Sequence, residues 1–122
     1  MYGRSAATAY RRVDLESAPS HQIVDRLYER FARDMERART AVVAKDIATK
    51  ARELDHALCI VVQLKVALDH TAAPELCANL EALYDFVMAR ITETNMTLQV
   101  KPLDQATKIM AELATAFLQA PR

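Results

Sequence analysis

Residues 57–68 read Ala-Leu-Cys-Ile-Val-Val-Gln-Leu-Lys-Val-Ala-Leu, and only Gln63 and Lys65 among them are polar. As a helix, this stretch has no consistently polar face, and a helix that is apolar all round must be covered all round. It is too short to cross a bilayer, which takes about 20 apolar residues. It is therefore expected as a buried helix in a soluble protein. The cover on its remaining side comes from the chain's own tail, a second copy or a partner chain.

The rest of the composition points to helices. Gly3 is the single glycine, and the prolines are Pro19, Pro74, Pro102 and Pro121. A chain so poor in turn residues, with no Val/Thr alternation between them, argues against sheets. Its length fits one domain over residues 1–122, and a chain of that size can bury a core without metals or disulfides. Lys plus Arg and Asp plus Glu number 16 each, for a formal net charge of zero. That balance argues against a general nucleic-acid binder, whose affinity rests on cationic phosphate contacts. It also mildly favours association. Cys59 and Cys77 are isolated and form no disulfide or zinc pattern. The N-terminus has no apolar run of signal-peptide length, and no apolar run follows the twin Arg11-Arg12. A reducing, cytoplasmic setting is expected.

The apolar spacing predicts an all-α, antiparallel four-helix bundle with an N-terminal tail that can form a short helix. The tail covers residues 1–19, and the helices cover about 20–43, 46–68, 74–95 and 102–119. In the first helix Val24, Tyr28, Phe31, Met35, Ala38 and Val42 make a seam. Its arginine-rich outer side reads as a solvated face of mixed sign. Asp46 is the expected N-cap of the second helix, whose seam reads Ile47, Ala51, Leu54, Leu58, Val61 and Leu68. The third carries Leu76, Leu80, Leu83, Val87 and Ile91, with Cys77, Tyr84 and Met88 beside them and Phe86 off both stripes. Pro102 is expected to open the fourth, with Leu103, Ala106, Met110, Leu113 and Phe117 inward.

Few groups invite chemistry. Glu53 and His56 have the Glu-x-x-His spacing of carboxylate-bridged metal bundles, but those need a second copy and further glutamates. Glu53 reads as part of the polar face, so a surface acid–histidine patch is expected. Cys59 and Cys77 sit among core-type residues and read as buried and structural. A phosphate-cradling loop needs glycines that are missing. No metal, cofactor or catalytic residue is expected, and the chain does not read as an enzyme. What stands out is apolar surplus, which in a bundle marks a partner groove or a dimer seam. The residues alone lead to a helical binding module or a homodimer.

The order of residues then resembles the FliS family of flagellin-specific export chaperones. The likeness starts at Met1-Tyr2 and runs through Ala9-Tyr10-Arg11-Arg12-Val13-Asp14-Leu15-Glu16-Ser17-Ala18. It continues with His21-Gln22-Ile23-Val24-Asp25-Arg26-Leu27-Tyr28 and Lys45-Asp46-Ile47. Its most recognisable part is Asn79-Leu80-Glu81-Ala82-Leu83-Tyr84-Asp85-Phe86-Val87-Met88-Ala89-Arg90, with Asn95 beyond. The chain departs from the family pattern in having Pro19-Ser20 for Ser-Pro and Ala44-Lys45 where Gly or Asn often precedes Asp46. Phe117 stands where a tryptophan is common.

The resemblance implies a cytoplasmic bundle that binds the disordered C-terminal segment of newly made flagellin, prevents premature polymerisation and helps deliver it to the flagellar export gate. It also implies a tail that covers the groove, here through Tyr10, Val13 and Leu15, and leaves room for a co-chaperone or regulator. Expected groove residues are Ile60, Val62, Leu64 and Val66 on the second helix and Tyr84, Phe86 and Met88 on the third. No nucleic acid or membrane insertion is implied, and a homodimer using the same groove is the competing reading.

Overall fold

The computed structural model describes residues 9–10 and 20–118. The second stretch forms four helices: α1 (Ser20–Ala44), α2 (Ile47–Val66), α3 (Pro74–Thr97) and α4 (Val100–Leu118). No strand occurs among the described residues.

The connections set the topology. Lys45-Asp46 joins α1 to α2 and Leu98-Gln99 joins α3 to α4, links too short for anything but antiparallel neighbours. Side-chain pairs agree with that register. Asp34 meets His56 while the later Arg37 meets the earlier Glu53. Lys50 meets Asn95 while Lys65 meets Asp85. Arg39 meets Asp104 while Tyr28 lies against Phe117. Each helix packs on two others, in the ring α1–α2–α3–α4. The two short turns therefore share one end of the bundle. The longer α2–α3 connection, the start of α1 and the close of α4 share the other.

Both short turns do without glycine. Lys45 and Leu98 stand in the left-handed region, at φ 58 and 60. At α1 the N–H of Asp46 donates to the Ala41 carbonyl at 2.9 Å and that of Lys45 to Val42 at 3.2 Å, a Schellman ending. Asp46 then caps α2, its carboxylate accepting from the Thr49 N–H at 3.2 Å. α4 begins at Val100 rather than at Pro102. Pro102 lies in its first turn, where a missing N–H leaves no bond unmade. α2 ends two residues short of the expected Leu68, the N–H of Ala67 reaching back to Gln63 at 3.1 Å and that of Leu68 to Lys65 at 3.2 Å.

The seams of α1 and α4 lie inward at every expected position. On α2 the interior takes Leu54, Ala57, Ile60, Val61 and Leu64, whereas Ile47 and Ala51 are exposed and Leu58 is half-buried. Lys50, Glu53 and Asp34 are buried although each is charged. Lys50 donates to both the side-chain oxygen (2.6 Å) and the backbone carbonyl (3.1 Å) of Asn95. Glu53 therefore does not belong to the open polar face expected of it; it faces α1 beneath Arg37.

Candidate binding surface

The most enclosed group of polar atoms lies where the tail meets the bundle. Ala9 and Tyr10 are both fully buried. The Ala9 carbonyl accepts from the Asp69 N–H at 2.7 Å. Asp69 shapes the α2–α3 connection that receives it. Its carboxylate accepts from the Thr71 N–H and hydroxyl at 3.1 and 2.6 Å, and its carbonyl accepts from the Cys77 thiol at 3.3 Å. Burial, together with the nearby Asp69 charge, pushes the Cys77 thiol up from its ordinary value.

Tyr10 enters between α1, α3 and α4. Its hydroxyl is hydrogen-bonded to that of Tyr84, which is bonded in turn to the hydroxyl of Tyr28 at 2.7 Å. Phe117 meets the Tyr10 ring edge-on at 5.9 Å and lies 6.4 Å from that of Tyr28. Burial pushes all three phenols well above the ordinary tyrosine value, and repulsion between neighbouring oxygens adds to the rise. They form a neutral chain of hydroxyls in an apolar slot, with Tyr84 in the middle. A segment from outside the four helices thus completes their interior.

The expected groove residues do not share one side. Ile60, Leu64 and Tyr84 are interior, at 2%, 0% and 0% exposure. Val62, Val66 and Phe86 are exposed, at 47%, 68% and 46%, and Met88 is half-buried. The reason is helical geometry. Successive residues turn by about 100°, so positions two apart point to nearly opposite sides. Residues 60, 62, 64 and 66 therefore alternate in burial, and residues 84, 86 and 88 separate likewise. Val62 and Val66, one turn apart on α2, lie beside Lys65, which is bonded to Asp85 of α3 at 2.7 Å. Met88 is three residues on from Asp85, so Val62, Val66, half-buried Leu58 and Met88 border the α2–α3 seam. Phe86 lies about 100° further round α3, beneath the Arg90 guanidinium at 5.4 Å. Val13 and Leu15 lie outside the described residues.

Other positions differ from expectation or went unforeseen. Cys59 is exposed rather than buried. The Asp34 carboxylate is bound to His56 Nδ1 at 2.5 Å, and Glu53 pairs with Arg37 at 3.5 Å and Arg52 at 3.9 Å, so Glu53 and His56 turn to different partners. The roles of Tyr28, Asp69 and Phe117 in seating Tyr10 were legible only as apolar spacing or a loop residue. Val43, Ile47, Met96 and Leu98 are exposed and flank the two short turns at the far end of the bundle. None of the described helices is long and apolar enough to cross a membrane.

The likeness read from the residues extends through the chain. Residues 3–122 match the family described as flagellar protein FliS. A flagellar secretion chaperone FliS of Salmonella typhimurium is 28% identical over 98% of this chain and 92% of its own. One of Vibrio cholerae is 29% identical over 97% and 90%. The flagellar secretion chaperone FliSB of Pseudomonas aeruginosa is 27% identical over 96% of both chains. A helical bundle matched over its length in this way belongs to the FliS family of flagellar proteins.

Proposed function

We propose that this chain is a flagellar secretion chaperone that holds the C-terminal segment of flagellin in the cytosol. It keeps that segment from polymerising early and hands it to the export gate. The relatives' description as flagellar secretion chaperones supports the activity. The observation that carries the binding mode is Tyr10, a tail residue whose fully buried side chain fills a slot between α1, α3 and α4. A bundle with an interior that a separate segment completes is suited to hold such a segment. Val62, Val66 and Met88 along the α2–α3 seam extend the apolar surface available to a helix that folds on binding. Phe86 with Arg90 provides a second, separate contact on the other flank of α3. Ile60, Leu64 and Tyr84 support these surfaces from beneath. The role is one of binding, with no catalytic group invoked, and a co-chaperone or regulator would compete for the same seam.

Mixing the full chain with a flagellin C-terminal peptide tests this reading. Calorimetry should give a saturable complex, and circular dichroism should show helix beyond the sum of the parts. Absence of both would remove the reading. Sedimentation of the chain alone tests the homodimer alternative: a monomer at micromolar concentration is expected, and a stable dimer blocked by the peptide would reassign the apolar seam to self-association.

A further inference from the structure

The outer side of α1 carries Arg26, Arg30, Arg33 and Arg37, all exposed. At 3.6 residues per turn they fall within about 60° of one another, a stripe about 16 Å long. Beside it two adjoining clefts of about 480 and 570 Å³ run between α1 and α2, sharing Arg33, Arg37, Arg52 and Glu53. The acids on the cleft floor are already satisfied. Glu53 pairs with Arg37 and Arg52, and Asp34 is held by His56. Arg26, Arg30 and Arg33 have no ion-pair partner among the described residues, although Glu29 and Glu36 flank the stripe and Asp55 stands at its rim.

We propose that this α1–α2 face docks an acidic helical segment of a partner protein, whose carboxylates meet Arg26, Arg30 and Arg33. The charges recur at the spacing of one helix face, so a second helix with carboxylates at the same spacing meets them in register. Guanidinium forks bind carboxylates in paired hydrogen bonds, which favours arginine over lysine here. Thr40, Ala41 and Ala44 extend the cleft toward the bundle end with small groups against which a helix packs. A phosphate polymer fits less well. The chain has no net charge to attract one, and no Phe, Tyr or Trp lines either cleft to stack a base. The arginine stripe lies on α1 and the Val62–Met88 seam between α2 and α3, while Asp55 and Cys59 of the second cleft share the Val62–Val66 side of α2. The proposal goes beyond the export-chaperone reading and does not depend on it.

The test is fluorescence anisotropy with the full chain and three labelled probes: an amphipathic helical peptide with glutamates at i, i+4 and i+7, the same peptide with glutamines there, and a short single-stranded RNA. The glutamate peptide should bind at least about tenfold tighter than the glutamine peptide, and more weakly as salt rises. Arg30→Glu with Arg33→Glu should abolish that preference, while Arg30→Lys with Arg33→Lys should keep part of it. Should the charge reversal unfold the chain by circular dichroism, Arg30→Ala with Arg33→Ala gives the same readout. Equal binding of the two peptides, or an unchanged preference in the double variant, overturns the proposal. So does tighter binding of the RNA, which would assign the face to nucleic acid.

Discussion

The three tyrosine hydroxyls are not equivalent. Tyr84 bonds to both neighbours, while Tyr10 and Tyr28 stand at the ends of the chain. Tyr84→Phe removes both of these bonds, leaves the Tyr10 and Tyr28 hydroxyls only each other, and should destabilise the fold by about 1–3 kcal/mol. Tyr10→Phe leaves Tyr84 bonded to Tyr28 and should cost about 0.5–1.5 kcal/mol; urea unfolding of the two variants gives the order. The raised phenols also set an alkaline limit. The folded state keeps protons that the unfolded chain releases near the ordinary value of 10.0. The stabilising contribution is complete below that value and falls as pH rises past it toward the folded values. The urea midpoint should hold between about pH 7 and 9 and drop above about 10, with a shallower drop in Tyr84→Phe. A midpoint that is flat through that range would show the phenols to be hydrated.

At the scale of elements, the two glycine-free turns leave stability unclaimed. A non-glycine residue in the left-handed region carries a penalty of roughly 1–2 kcal/mol, partly offset by glycine's greater freedom when unfolded. Lys45→Gly and Leu98→Gly should each raise stability by about 0.5–1 kcal/mol. Thermal melts would check this; a lowered melting temperature at position 45 would mean that the lysine side chain holds the turn. The helices also differ in how far spacing alone reveals them. α1 and α4 have one apolar stripe each, and every seam residue named for them from Val24 to Phe117 lies inside. α2 is apolar on several sides, so spacing does not choose between Ile60, which is inside, and Val62, which is outside. Burial of Lys50, Glu53 and Asp34 depends on partners that the fold brings from other helices, and charge alone reads them as surface.

For the whole molecule, the four-helix order follows from few turn residues and four apolar seams, whereas the docked tail does not. Tyr10 has no periodic context around it, and its burial requires Tyr28, Tyr84 and Phe117 to converge from three helices. Deleting residues 1–17 should leave the helical signal in place, lower the melting temperature and expose dye-binding apolar surface where Tyr10 sits. Unchanged dye binding would mean that the bundle closes over the slot by itself. Whether this chain holds the flagellin C-terminal segment is decided by titrating the full chain with that peptide while following far-ultraviolet circular dichroism. A saturable gain in helix beyond the sum of the two components is expected. A signal equal to that sum at every ratio, with no heat of binding, would contradict it.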